Sequence, residues 1–346
     1  MRKTLPTLLI IILTLLSLSC TRKESSTIEK ITDSKLLLGT ICSITLFDSD
    51  DEQIIQKAFL TIEKIEQLMS REIKTSDVSK ISTSDSATFV DSQTMTVIKE
   101  ALEIAQISDG RFDPSIGPVV EAWGIGTDDA RIPTTTELNT LLSHVDYQNI
   151  LIDPLKGTIS LADPEMEIDL GGIAKGYAAD KTVEILEQNG VTSALINLGG
   201  NIFAMGKKTD GSLWKIGIQD PESTRGEYMG IVNISDLSVV TSGIYERFFE
   251  DESGFYHHIL DTKTGYPVVN TLSSVSIISP ISLLADGLST AAFASGINEG
   301  RALIEQFEDV EAIFITKDKR VYVTSGLSEG KIPFSIVDDS YVLQNE

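Results

Sequence analysis

The 346-residue sequence predicts an α+β fold, with helices and strands in blocks rather than in strict alternation. Three observations lead there. Apolar residues recur at helical spacing over Asp51–Met69 and Gln93–Ile107. Short apolar runs bounded by turn residues crowd the stretch from Ser193 to Ile278. And 41% of the residues are apolar, enough to bury a substantial core.

In chain order, Leu36–Phe47 reads as a strand. Asp51–Met69 places Ile54, Ile55, Ala58, Phe59, Ile62, Ile65 and Leu68 along one helical stripe. Arg71–Thr88 is polar and reads as a loop. Gln93–Ile107 carries Ile98, Leu102 and Ala105 on one side, with Gly110 near its stop. Gly110–Gly126 is rich in Gly and Pro, which implies a fixed irregular loop. Thr134–Leu142 is a short capped helix, and Asn149–Leu161 a hairpin around Asp153-Pro154 and Lys156-Gly157. Gly172–Gln188 is helical, with Gly190 just past its end. Strands are expected at Ala194–Leu198, Trp214–Ile218, Gly230–Ile234, Tyr256–Leu260 and Ser274–Ile278. Helix returns at Ser282–Ala294 and Glu299–Phe307, and Glu311–Thr316 with Arg320–Thr324 forms a last hairpin. There is no internal repeat; a soft boundary falls near Pro133.

Residues 1–19 read as a signal peptide: Arg2 and Lys3, an apolar stretch from Leu8 to Leu16, then Ser17-Leu18-Ser19 before Cys20. The stretch is short for a spanning helix. A Cys after small residues resembles the lipobox of bacterial lipoproteins, in a relaxed form because Ser17 stands where Leu is usual. On that resemblance Cys20 is the lipidated first residue, 20–33 is a tether and 34–346 is the folded domain. The alternative is an ordinary cleaved signal with an incidental Cys. Cys42 alone remains after processing, so no intrachain disulfide forms, and its apolar neighbours mark it as a core residue. The net charge of −23 argues against nucleic acid as a partner and against charge-driven docking on anionic lipid.

Four segments carry candidate chemistry. Asp286 and Thr290 are four residues apart, so a helix presents both on one side. A carboxylate and a hydroxyl suit Mg²⁺, which keeps waters and shares substrate phosphates. Alone, the pair reads more readily as a helix-start acid and a self-bonding Thr. Asp169-Leu170-Gly171-Gly172 precedes a helix with Lys175 in its first turn. Glycine permits close backbone approach, and helix-start amides and lysine attract phosphate. Neither the P-loop nor the Gly-x-Gly-x-x-Gly spacing is present, and a plain strand-to-helix turn is the alternative. Thr241-Ser242-Gly243-Ile244-Tyr245-Glu246-Arg247 is followed by His257-His258-Ile259-Leu260-Asp261, which holds two of the three histidines. A His near an Asp suits acid–base work, and adjacent strand residues face opposite ways, so one His should meet the site. The last is Gly110-Arg111-Phe112-Asp113-Pro114, a loop of the kind that lines ligand sites.

Together these segments resemble the ApbE family of FAD:protein FMN transferases, from about Leu37 to Gly326. The motifs follow the family's order: Leu38-Gly39-Thr40, Phe112-Asp113-Pro114, Asp169 to Gly176, Asn197-Leu198-Gly199-Gly200-Asn201, Thr241-Ser242-Gly243, His258 to Pro267 and Asp286 to Thr290. The resemblance implies an α+β fold related to the tunnelling fold, with FAD between two subdomains. It implies Mg²⁺ at the diphosphate, held by Gly172, Asp286 and Thr290. Contacts to the flavin nucleotide map to Leu38, Glu72, Arg111, Phe112, Asp113, Asp169, Lys175 and Ile259. The reaction would break the FAD diphosphate, release AMP and join FMN to a Thr or Ser hydroxyl of an exported flavoprotein. His258 is the expected base, and Asp261 is expected to orient it or assist the metal. With a lipidated Cys20, the enzyme would be anchored on a bacterial cell membrane, facing the periplasm or exterior. Leu38 replaces the family's usual Met, Glu72 lies near a usual aromatic, Thr262 replaces a Pro, Asn201 an Asp and Gly287 an Ala. The Glu72 departure leaves room for a Mg²⁺-dependent FAD pyrophosphatase; a non-catalytic FAD-binding lipoprotein is the third reading.

Overall fold

Leu38 and Gly39 both adopt left-handed backbone, φ 53° and 66°. That pair makes a two-residue hairpin turn of the kind whose twist matches its strands. The turn divides the expected single strand into β1 (Ile31–Leu37) and β2 (Thr40–Leu46), paired from Leu37↔Thr40 to Ile31↔Leu46. The structure, a computed structural model, describes residues 29–252 and 254–344. The signal segment, Cys20 and most of the expected tether lie outside the described residues; β1 takes up Ile31 to Asp33 from the tether's end.

After the hairpin come α1 (Glu52–Met69), α2 (Asp77–Ser82), β3 (Thr88–Phe89), α3 (Ser92–Ile107), α4 (Gly117–Trp123) and α5 (Thr135–Leu142). β4 (Ile150–Asp153) and β5 (Thr158–Leu161) precede α6 (Ala174–Gln188). The strand-rich part holds β6 (Ala194–Leu198), β7 (Asn201–Met205), β8 (Trp214–Gln219), β9 (Tyr228–Ile234), β10 (Leu237–Gly243), β11 (Phe248–Asp251), β12 (Gly254–His257) and β13 (Leu272–Ser279). Then follow α7 (Ser282–Ile304), β14 (Glu311–Thr316), β15 (Arg320–Val323), α8 (Ser325–Ser328), β16 (Phe334–Ile336) and β17 (Val342–Leu343).

Among the described residues the main sheet runs β1-β2-β6-β7-β10-β13-β14-β15-β17, antiparallel except for β15 with β17. Helices α1, α3, α6 and α7 cover one face, and the small sheet β16-β9-β8 packs on the other. The central strands are therefore buried on both sides and lose polar alternation. In β14, Ala312 and Phe314 face the helices while Ile313 and Ile315 face the small sheet. Trp214 of β8 lies in that second core. A third cluster joins Val119 and Trp123 of α4 to Leu138 and Leu260, with Phe249, Tyr256 and Tyr266 against it.

Two segments expected as loops hold helices. α2 is only six residues long, but Ser76 caps it through the Ser79 amide and Val78 and Ile81 are buried. α4 has Pro in its first turn and ends at Gly124 with φ 59°. Proline inside the start and left-handed glycine at the end delimit a helix as readily as they break one. The expected strand Tyr256–Leu260 stops at His257, and α7 is interrupted at Gly296, between the two helices expected there.

Helices α6 and α7 cross in close contact at Gly176. A Cβ there would lie 2.2 Å from the Ser282 carbonyl oxygen and 2.8 Å from Asp286 Cβ. Gly176→Ala must force the helices apart, and should destabilise the fold by about 1–3 kcal/mol. A lowered urea midpoint at unchanged slope checks this; an unchanged midpoint would show that the crossing has slack.

Candidate active site

Asp169 organises the glycine turn. Its carboxylate accepts the Gly171 amide at 2.7 Å, and its own amide donates to Pro114 O at 2.8 Å. The turn is thereby tied to the Arg111–Pro114 loop. A Cβ on Gly172 would come within 3.2 Å of the Phe112 ring and 3.3 Å of Thr290 Oγ1. Gly172 backbone, Phe112 ring and Thr290 hydroxyl thus meet at one point.

Asp286 is buried, and its Oδ2 accepts the Gly176 amide at 2.8 Å. Its Oδ1 faces Lys175 Nζ at 3.5 Å, and that ammonium donates to Gly171 O at 3.1 Å. Ser242 Oγ lies 2.8 Å from Ser289 Oγ and 3.4 Å from Thr290 Oγ1. The donors gathered here are carboxylate, hydroxyl and main chain, all hard oxygens, and one carboxylate oxygen already faces a cation. This set fits Mg²⁺ and not a soft metal. Among the described residues no cluster of three or more His, Cys, Asp or Glu offers a rival metal site.

The two adjacent histidines have opposite roles. His257 is buried: its Nε2 pairs with Val268 O at 3.1 Å and its Nδ1 with the Ile259 amide at 3.3 Å. Both nitrogens are spent on the backbone. His258 makes one ring contact, from Nδ1 to Arg247 O at 3.2 Å, and its amide donates to the same carbonyl at 3.1 Å. A carbonyl only accepts, so this pairing assigns the proton to Nδ1 and leaves the Nε2 lone pair as the ring's proton acceptor. Desolvation, helped by the positive charge of Arg247, pushes the His258 imidazole down to about 3. A base at this position would act through the deprotonated form, which is lost only as pH falls through that value. kcat/KM, which reports the free enzyme, should therefore show no acid limb from His258 between pH 5 and 8. A limb near pH 6–7 that vanishes in His258→Asn would contradict this.

The remaining expected residues are placed as follows. Asp261 Oδ1 accepts the Lys263 and Thr264 amides at 2.8 and 2.9 Å, and Oδ2 lies 4.0 Å from Arg111. It builds the turn after His258, and the Arg247 carbonyl performs the orientation expected of Asp261. Arg111 also approaches Glu299 at 3.5 Å. Asp113 is buried, with its oxygens bonded to Ser115 and to the Tyr147 amide, and burial raises its pKa. Its carboxylate holds the loop's shape. Ile259 is buried beside the histidines. The Leu38 amide donates to Glu66 at 2.7 Å, which holds the left-handed turn. Glu72 is exposed, 3.8 Å from Arg71.

Two residues gain importance that sequence reading did not assign. Arg71 gathers Glu121, Glu167 (3.2 Å) and Asp169 (3.5 Å), and so braces the glycine turn. Arg247 orients His258 with its carbonyl, and its guanidinium lies 3.5 Å from Gly39 O. A basic side chain directly before the two-strand hairpin that leads to the histidines was the available signal.

A neutral imidazole, a lysine and a hard-oxygen donor set on this three-layer α+β scaffold define an enzyme, one suited to a phosphate-bearing substrate. The chain belongs to the ApbE family, whose profile matches residues 38–314. It is 34% identical over 330 residues, 90% of each chain, to the FAD:protein FMN transferase of Treponema pallidum. It is 35% identical over 311 residues to that of Klebsiella pneumoniae, covering 89% of this chain and 95% of that one. Among solved structures, the flavin transferase ApbE from Vibrio cholerae superposes with TM-score 0.78 at 28% identity, over 87% of this chain and 99% of that one. The ApbE protein of Thermotoga maritima gives 0.80 at 29% identity with the same coverage. The expected α+β, ApbE-like fold is borne out.

Proposed function

We propose that this chain transfers FMN from FAD to a Thr or Ser hydroxyl of an exported flavoprotein and releases AMP. The observation that carries this is the meeting of Asp286, Thr290, the Gly172 turn and Lys175 at the crossing of α6 and α7. Gly172, Asp286 and Thr290 would hold Mg²⁺, which supplies charge neutralisation on the diphosphate oxygens. Lys175 adds fixed positive charge on the same side. His258 Nε2 takes the proton of the acceptor hydroxyl as the oxygen bonds to the FMN phosphorus; the bond to the AMP oxygen breaks. Phe112 and Leu38 supply apolar surface for ring systems.

Incubation with FAD, Mg²⁺ and an acceptor domain tests this. Flavin fluorescence should stay with the acceptor through denaturing electrophoresis, with one AMP per flavin. FMN found only in solution would replace the transferase with a FAD pyrophosphatase. The exposed Glu72, in place of an aromatic platform, is what favours that second reading. FAD retained without AMP release would leave a binding protein.

Lipidation at Cys20 would hold the enzyme on the outer face of a bacterial membrane, toward the periplasm or exterior. Residues 21–30 separate Cys20 from Ile31 at the start of β1, a reach of at most about 40 Å were the chain fully extended. Cys20→Ser should move the protein from the membrane to the soluble fraction with its turnover intact. Unchanged membrane recovery would refute the anchor.

A further inference from the structure

Helices α6 and α7 start without caps of their own. The residues before them are Ile173 and Ile281, which have no polar side-chain atom to offer the first amides. Each start is capped by the other helix instead. Asp286, one turn into α7, takes the Gly176 amide of α6 at 2.8 Å. Asp180, one turn beyond Gly176 on α6, returns the favour to α7. Its Oδ1 accepts the Ser282 amide at 2.8 Å and its Oδ2 the Leu283 amide at 2.9 Å. Between the two carboxylates lies the contact at which Gly176 admits no side chain. Ser282 is fixed further by its hydroxyl, which bonds to Asn201 at 2.9 Å, with Ser238 at 2.9 Å.

We infer that Asp180 is a positioning residue for the metal site: by cross-capping α7 it fixes the axial and rotational setting that brings Asp286 and Thr290 to the Gly172 turn. The inference rests on the proposed metal reading of Asp286. The supporting chemistry is specific. Burial lifts the Asp180 carboxyl to about 6 against the pull of both amides, so the charge is held there at a cost. A cap needed only for helix stability could come from position 281, where Ser, Asp or Asn would serve. A cap supplied from α6 also ties the two helices at a fixed offset. Without it, α7 keeps only one bond of the reciprocal pair, and that bond uses the metal carboxylate itself.

The test uses the detergent-solubilised full chain and Mn²⁺ alone, followed by electron paramagnetic resonance, beside the Mg²⁺ midpoint of AMP release. Asp180→Ala should weaken Mn²⁺ binding and raise the Mg²⁺ midpoint by about 10-fold, the size seen when an outer partner of a metal ligand is lost. The KM for FAD at saturating Mg²⁺ should move far less. Asp180→Asn retains an acceptor for one amide and should fall between. A merely structural loss would lower the folded fraction and leave the Mn²⁺ affinity of the remaining protein unchanged. Wild-type Mn²⁺ affinity in folded Asp180→Ala, or in Asp180→Asn if the Ala variant does not fold, overturns the inference. Asp286→Ala separates the two levels. If it binds Mn²⁺ as the wild type does, the metal reading itself fails. If it loses Mn²⁺ while the Asp180 variants do not, only the positioning role fails.

Discussion

Asp286→Asn should lower Mg²⁺-dependent AMP release by about 10²–10³-fold, the usual loss when one electrostatic stabiliser of a transition state is removed. The amide form is the informative variant. Asp286 holds the Gly176 amide as well as facing Lys175. Asn keeps an acceptor for that amide and discards the charge, so the helix crossing survives. Asp286→Ala removes both and should cost about 1–2 kcal/mol of stability as well, because the Gly176 amide loses its cap. AMP release at saturating Mg²⁺ and the urea midpoint, measured on both variants, separate the contributions. Wild-type AMP release by the Asn variant would remove Asp286 from the chemistry.

His258→Ala should lower transfer to protein by about 10²–10⁴-fold, the range for a positioned general base. FAD affinity should change only a few-fold, because the ring's anchor is the Arg247 carbonyl and not a ligand. That carbonyl still receives the backbone amide of residue 258, so the hairpin should keep its shape. His257→Ala should behave differently. Its ring bridges Val268 and Ile259, so its loss is a matter of folding. Stopped-flow FAD binding and single-turnover transfer distinguish the two. Equal losses of binding and transfer in His258→Ala would end its role as base.

Much of the architecture was legible because burial was one-sided. α1 shows its stripe plainly since one face meets the sheet and the other meets water. α2 was hidden by shortness, and α4 by residues that serve equally as boundaries and as breakers. β10 was missed as a strand because its polar residues are satisfied by partners far along the chain: Thr241 by Ser276, Ser242 by Ser289. Polarity that is paired in three dimensions reads as loop in one. The same limit governed the site. The four-residue spacing of Asp286 and Thr290 was visible, and so was the glycine turn. That His258 would be oriented by Arg247, and Asp261 turned away to its own loop, depends on contacts no local spacing encodes.

The chain has two tryptophans, and they report on different parts of it. Trp214 lies between the sheets, tilted against Phe47 with ring centroids 4.7 Å apart. Trp123 sits under the hairpin that ends at the paired imidazoles, bonded to Gly265 O at 2.6 Å and ringed by Phe249, Tyr256 and Tyr266. An isoalloxazine absorbs where indole emits, so a flavin held beside that hairpin quenches the nearer emitter more strongly. If the proposed site holds FAD beside that hairpin, then with Trp214→Phe as background the remaining emission becomes an optical gauge of flavin binding that requires no label and no turnover.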